Sequence, residues 1–126
     1  MVVMSSEARR WAAVGAGLGF LAVVLGAFGA HALRSVLPPE RLAVWEVGVR
    51  YQMYHALALL AVPLLAGDRA RRIGWCFVGG VALFSGSLYL LALTDLRWLG
   101  AVTPLGGVSF LVGWGLLALS AGRDQG

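Results

Sequence analysis

Three stretches of this chain run without a charged side chain for long enough to cross a lipid bilayer. Trp11 to Leu33 covers 23 residues, Ile73 to Thr94 covers 22 and Trp98 to Gly122 covers 25. A helix rises about 1.5 Å per residue, so about 20 apolar residues cross a hydrocarbon core of about 30 Å. A water-soluble fold of 126 residues is hard to build around such runs. Only 13% of the chain is charged and 60% is hydrophobic, whereas soluble domains carry about 25% charged residues. In water, that surface would expose large apolar patches. In lipid, it is solvated.

A fourth segment is less uniform. Met53 to Ala66 is uncharged, but the preceding residues, Leu42 to Gln52, include Glu46 and Arg50. Pro38-Pro39-Glu40 reads as a helix start, with proline and an acid in the first turn. From Pro39 to Ala66 a helix would be about 42 Å long. The expectation is one long helix whose amphipathic start lies in the outer interface, where Trp45, Tyr51 and Tyr54 are suited to the headgroup level. The alternative is a separate interfacial helix over Pro39 to Val49 followed by a short span. The predicted fold is therefore an all-α integral membrane four-helix bundle in a single domain over residues 1–126. Its spans are expected at about 11–33, 43–66, 73–94 and 103–121.

Orientation is read from arginine. All ten basic residues are Arg. Arg9, Arg10, Arg69, Arg71, Arg72 and Arg123 fall on one side of the expected bundle, and Arg34, Arg41 and Arg97 on the other. The excess places both termini in the cytoplasm. The formal charge of +4 is not a nucleic-acid signature, because these arginines flank apolar runs instead of lining a solvated face. Anionic lipid is the natural counterpart. Ala30-His31-Ala32 after Arg9-Arg10 resembles a signal-peptide cleavage site, but the intervening apolar run exceeds a usual signal-peptide core.

Helices in lipid associate through close packing, for which small residues are favoured. Gly15, Gly19, Ala22, Gly26 and Gly29 recur at spacings of three and four in the first span. Gly79, Ala82 and Gly86 mark the third, and Gly106, Ser109 and Gly113 the fourth. These stripes could join helices of one chain, copies of the chain in a homo-oligomer, or a membrane-protein partner. Thr103-Pro104 is expected to be an N-cap and first-turn proline. Cys76, the only cysteine, reads as a small hydrophobe within an apolar run.

Embedded polar groups are costly and are the first place to look for function. The candidates are His31, Glu46, Arg50, Gln52, Tyr54, His55, Ser85, Ser87 and Tyr89. Glu46 and Arg50 stand four apart, which lets them pair on one helix face. His31, His55 and the Ser85–Tyr89 turn are expected to gather in the outer half of the bundle. Two histidines raise the possibility of haem, but axial ligation requires both at one depth, and thiolate metal sites are excluded by the single cysteine. No cofactor or metal is assigned. Metalloprotease, nucleophile-elbow and phosphate-loop motifs are missing, and so is a pair of embedded carboxylates, so no catalytic residues are assigned.

Four elements in order carry a family resemblance. They are Gly26-Ala27-Phe28-Gly29-Ala30-His31-Ala32-Leu33, Tyr51-Gln52-Met53-Tyr54-His55-Ala56-Leu57-Ala58-Leu59, Phe84-Ser85-Gly86-Ser87-Leu88-Tyr89 and Thr103-Pro104-Leu105-Gly106-Gly107. Together they resemble the small bacterial YgdD/YwdK-type membrane proteins, a domain of unknown function, over nearly the whole chain. The resemblance implies a four-span inner-membrane protein and no established activity. The leading expectation is a non-enzymatic accessory or helix-interaction module. The alternatives are a transporter or channel-like element for a small solute or proton, and a cofactor-binding bundle that uses His31 and His55.

Overall fold

A computed structural model describes residues 5–123, all of whose regular elements are helical. Helix α1 (Ser6–Phe28) starts at an N-cap the sequence reading missed: the Ser5 hydroxyl accepts the Ala8 N–H. It continues into a π-helical turn, Gly29–Leu33. Helix α2 (Pro39–Leu65) is continuous, with Pro39 in its first turn, so no separate interfacial helix precedes it. Helices α3 (Ala70–Gly80) and α4 (Gly86–Thr94) are joined by a second π turn, Val81–Ser85, into one rod. Helix α5 (Thr103–Ala121) follows a 3₁₀ turn at Arg97–Ala101. Each of the four rods overlaps one of the four apolar segments of the sequence, the first three beginning ahead of it at Ser6, Pro39 and Ala70.

Tight turns reverse the chain. Gly67, at φ 57°, takes the left-handed conformation after α2, a role for which glycine has no steric cost. Asp95, also at φ 57°, ends α4 in the same way; aspartate is among the few side chains that tolerate it. The α4 terminus is closed from outside by Arg41, whose Nε donates to the Ala92 carbonyl at 2.8 Å and whose second guanidinium nitrogen donates to the Leu93 carbonyl at 3.0 Å. Arg41, in the first turn of α2, is thus a cap for α4.

The rods run up and down. One core cluster joins Ala8 and Trp11 at the start of α1, Ala66 after α2, Ile73 in α3 and Leu117 in α5. The second joins Leu33, Leu37, Trp45 and Ala92 at the other end. The two described ends of the chain therefore lie at the same end of the bundle. α1 packs mainly on α2 and α5 mainly on α3, with α2 and the α3–α4 rod forming the shared centre.

Glycine notches receive aromatic rings throughout. A Cβ on Gly29 would lie 2.6 Å from the Trp45 indole, one on Gly48 2.8 Å from Tyr89, and one on Gly113 2.7 Å from Phe77. Gly74 receives Trp11 and Gly80 receives Phe110 in closer contacts still, and Gly106 lies against the Phe84 backbone. At Gly15 the neighbours are the Ala56 carbonyl and Leu59 Cβ, both at 2.7 Å. With Gly19 near Ala56 and Met53 and Gly26 near Val49, the whole α1 stripe faces α2. That stripe is occupied within the chain. In the third rod Gly80 makes the close contact, while Gly86 has open space around it.

Three stretches, Ser6–Leu33, Gly67–Thr94 and Arg97–Ala121, are long and apolar enough to cross a membrane. α2 falls short because of Arg50, Gln52, His55 and the tyrosines in its middle. Gly74→Leu would force a branched side chain into the Trp11 ring. It is expected to cost about 1–3 kcal/mol, the usual range for overpacking. Gly17→Leu, which meets nothing within 4 Å, should change stability by less than about 0.5 kcal/mol. Thermal or steric-trap unfolding in detergent checks the contrast.

Candidate functional site

The inward face of α2 carries both of its buried polar side chains, Gln52 and His55, at 3% and 4% exposure. They organise two separate hydrogen-bonded groups. Gln52 bridges three helices: its Nε2 donates to the Leu18 carbonyl of α1 at 2.9 Å, and its Oε1 accepts the Tyr89 hydroxyl of α4 at 2.7 Å. One turn away, Ser85 Oγ donates to the Gly48 carbonyl at 2.7 Å. Trp45 Nε1 donates to the Leu25 carbonyl at 2.9 Å, just ahead of the first π turn. All these bonds end on a neutral backbone or side-chain acceptor, so they tie helices together without embedding a charge.

His55 forms the second group. Its Nδ1 lies 2.6 Å from the Tyr51 carbonyl, and its Nε2 lies 3.0 Å from Trp114 Nε1. An indole nitrogen can only donate and a carbonyl can only accept. The ring is therefore neutral, with its proton on Nδ1, and both nitrogens are engaged. It stacks on Phe110 with centroids 3.5 Å apart and planes 7° apart, and meets Trp114 edge-on at 5.9 Å. A haem iron would have to displace one of these partners. His31 is exposed in the first π turn and shares no hydrogen bond with His55 among the described residues. The two histidines are not gathered into one site. Among the described residues no three His, Cys, Asp or Glu side chains are placed to hold a metal ion.

The remaining candidates divide in the same way. Glu46 and Arg50 pair at 3.8 Å, but both side chains are more than half exposed, which makes the pair energetically minor. Tyr54 is exposed at the surface. Ser87 is buried; its hydroxyl donates to the Phe84 carbonyl or shares a 2.6 Å bond with Thr103 Oγ1. Thr103 does not cap α5 as the sequence suggested. It stands at the first helical position, with no side-chain cap bond at that terminus, and its hydroxyl turns to Ser87 and the Leu99 carbonyl. The single expected cluster is instead one inter-helix tie around Gln52, one aromatic group around His55 and a Ser87–Thr103 latch.

Beside His55 a lateral groove of about 640 Å³ opens between α2, the second π turn and α5. Its walls include Tyr51, Tyr54, Phe84, Phe110, Leu111 and Trp114, and Gly107 adds no side chain to them. Tyr51 packs on Phe84 at 4.5 Å and Phe84 on Phe110 at 5.5 Å. Trp114 was hidden in the sequence among apolar residues. The available signal was its indole N–H, which within hydrocarbon requires an acceptor, and His55 is the neighbour that supplies one. Trp45 carries the same signal, but its acceptor and those of Arg41 are backbone carbonyls, which no residue identity marks.

The family described as "Protein of unknown function (DUF423)" matches residues 25–107. The chain belongs to this family. Its relatives include UPF0382 membrane proteins from Staphylococcus saprophyticus, 48% identical over 84% of this chain and 91% of the relative, and from Staphylococcus haemolyticus, 46% identical over 90% and 95%. The UPF0382 membrane protein YwdK of Bacillus subtilis is 48% identical over 86% of this chain and 92% of its own. No solved structure matches this chain. The match bears out the YgdD/YwdK-type resemblance, and the DUF423 chain is a membrane protein of a family without an established role.

Gln52→Leu and Tyr89→Phe should each leave a polar atom unpaired in the interior, at a cost of about 1–3 kcal/mol. The double variant should cost less than the sum, with a coupling of about 0.5–3 kcal/mol in a double-mutant cycle. For His55, nitrogen NMR of the protein in micelles at neutral pH should find a proton on Nδ1 and none on Nε2.

Proposed function

We propose that this chain is a non-enzymatic four-span module of the bacterial plasma membrane that works by lateral association, receiving an apolar segment of a membrane partner in the groove between α2 and α5. One observation carries the reading: the buried polar side chains are engaged within the chain, while an apolar, aromatic groove of about 640 Å³ opens sideways between α2 and α5. A groove of this size and character is typical of binding sites. The first helix cannot offer its glycine stripe to a partner while α2 fills it, whereas the groove between α2 and α5 is open.

The fourth span is α2. The polar residues that lower its apolarity, Gln52 and His55, point inward, and Leu57, Leu60 and Leu64 are exposed, so lipid meets an apolar face. At 27 residues it is about 40 Å long, enough to cross with its Glu46–Arg50 turn in the interface. Six arginines, Arg9, Arg10, Arg69, Arg71, Arg72 and Arg123, belong to the end that holds both described termini. Three, Arg34, Arg41 and Arg97, belong to the other, and Arg41 is engaged by carbonyls. The positive-inside bias favours cytoplasmic termini.

Photo-crosslinking residues at Val108 and Leu111 in the groove are expected to give a discrete adduct in native membranes. The same residue at Val23 or Leu64, on other exposed faces, should not. Gly107→Trp should remove the groove adduct while the bundle stays folded, since Gly107 has open space around it. Adducts of equal yield from all four positions, or adducts with lipid alone, would refute the reading.

A further inference from the structure

We infer that a second, basic cleft between the beginnings of α1 and α3 binds the phosphate of an anionic phospholipid, with its acyl chains running down the adjacent apolar wall. The inference goes beyond the groove reading and rests on different residues. The cleft holds about 420 Å³ and is lined by Glu7, Arg10, Trp11, Val14, Arg71 and Trp75. Arg10 and Arg71 come from different helices, so two guanidinium groups flank one space. Among the described residues the salt bridges are Arg50–Glu46 and Arg123–Asp68, and neither Arg10 nor Arg71 takes part in one. Glu7, the one acid in the cleft, is turned back on its own helix, where its carboxylate accepts Trp11 Nε1 at 3.3 Å. The lining thus has an excess positive charge, and Arg9 and Arg72 beside it are exposed.

The two walls repeat one pattern. Arg10 is followed four residues later by Val14, and Arg71 by Trp75. Residues four apart lie on one helix face, about 6 Å apart along the axis. Each wall is therefore cationic at the helix start and apolar one turn deeper. Trp75 is 59% exposed and meets Trp11 edge-to-face at 5.3 Å, which suits the headgroup boundary favoured by indoles. A ligand matching both walls carries a compact anion joined to an apolar chain. Free phosphate would satisfy only the upper half. Basic pockets between membrane helices are known recognition sites for anionic headgroups.

The test uses the full chain in nanodiscs of phosphatidylcholine with a minor fraction of phosphatidylglycerol, equal in both leaflets so that orientation does not enter. Bromine on the acyl chains of one lipid or the other quenches nearby indole fluorescence. Brominated phosphatidylglycerol is expected to quench more than brominated phosphatidylcholine at equal fraction, and Trp75→Phe should remove most of the difference. The preference should fall about fivefold for each of Arg10→Gln and Arg71→Gln and weaken with added salt. Arg34→Gln with Arg97→Gln, at the opposite end, should leave it intact. Equal quenching by the two lipids in the wild-type chain would overturn the inference whatever the variants do. An equal loss in the Arg34 and Arg97 variants would also overturn it, because general surface charge would then account for the preference. Loss of the groove adduct of the preceding section would leave this result untouched.

Discussion

Close backbone approach at glycine is the constraint on which this bundle depends. Lipid tails are as apolar as leucine, so burying apolar surface gives membrane helices little reason to associate. Dispersion must do it, and dispersion acts only at contact distance. The chain meets this requirement by placing an aromatic ring of one helix in a glycine notch of another. Trp11 enters at Gly74, Trp45 at Gly29, Tyr89 at Gly48, Phe110 at Gly80 and Phe77 at Gly113. Five flat rings, each in a gap where a side chain would collide, set the spacing and rotation of all four rods.

The hydrogen bonds follow from that spacing. Once Tyr89 is seated against Gly48, its hydroxyl reaches Gln52, and Gln52 reaches the Leu18 carbonyl. Once Phe110 is seated at Gly80, its ring lies under His55 and Trp114 can donate to Nε2. The π turns serve the same arrangement. At the second, the Gly86 N–H bonds back five residues to the Val81 carbonyl, and Ser85 in that turn donates across to Gly48. Such single-turn widenings are frequent at functional sites in helices, and this one forms part of the groove wall through Phe84.

The groove and the cleft differ in chemistry and in place. The groove beside His55 is aromatic and opens laterally between α2 and α5. The cleft at the starts of α1 and α3 is cationic above and apolar below, at the arginine-rich end. The first matches the chemistry of an apolar segment and the second that of a charged amphiphile, which is why the two proposals rest on different residues.

The four helical segments were legible in the residues because charge and proline interrupt apolar runs: Pro39 begins α2, and Pro104 lies in the first turn of α5. So was the Glu46–Arg50 pair, which depends only on helical spacing within one element. Partners across helices were not legible. Nothing local distinguishes Gly79, which has room, from Gly80, which does not, nor shows that His31 stays outside while His55 is enclosed. The sequence by itself determined a membrane-bound helical chain with four rods and a set of polar residues on α2, because hydrocarbon length and helical periodicity are properties of single segments. Only the tertiary structure decided that Gln52 and His55 serve two groups instead of one, that the α1 glycine stripe is filled by α2, and that the groove beside His55 and the cleft at the starts of α1 and α3 stay open. Those outcomes depend on the relative rotation of rods far apart in the chain, which is set by which ring enters which notch.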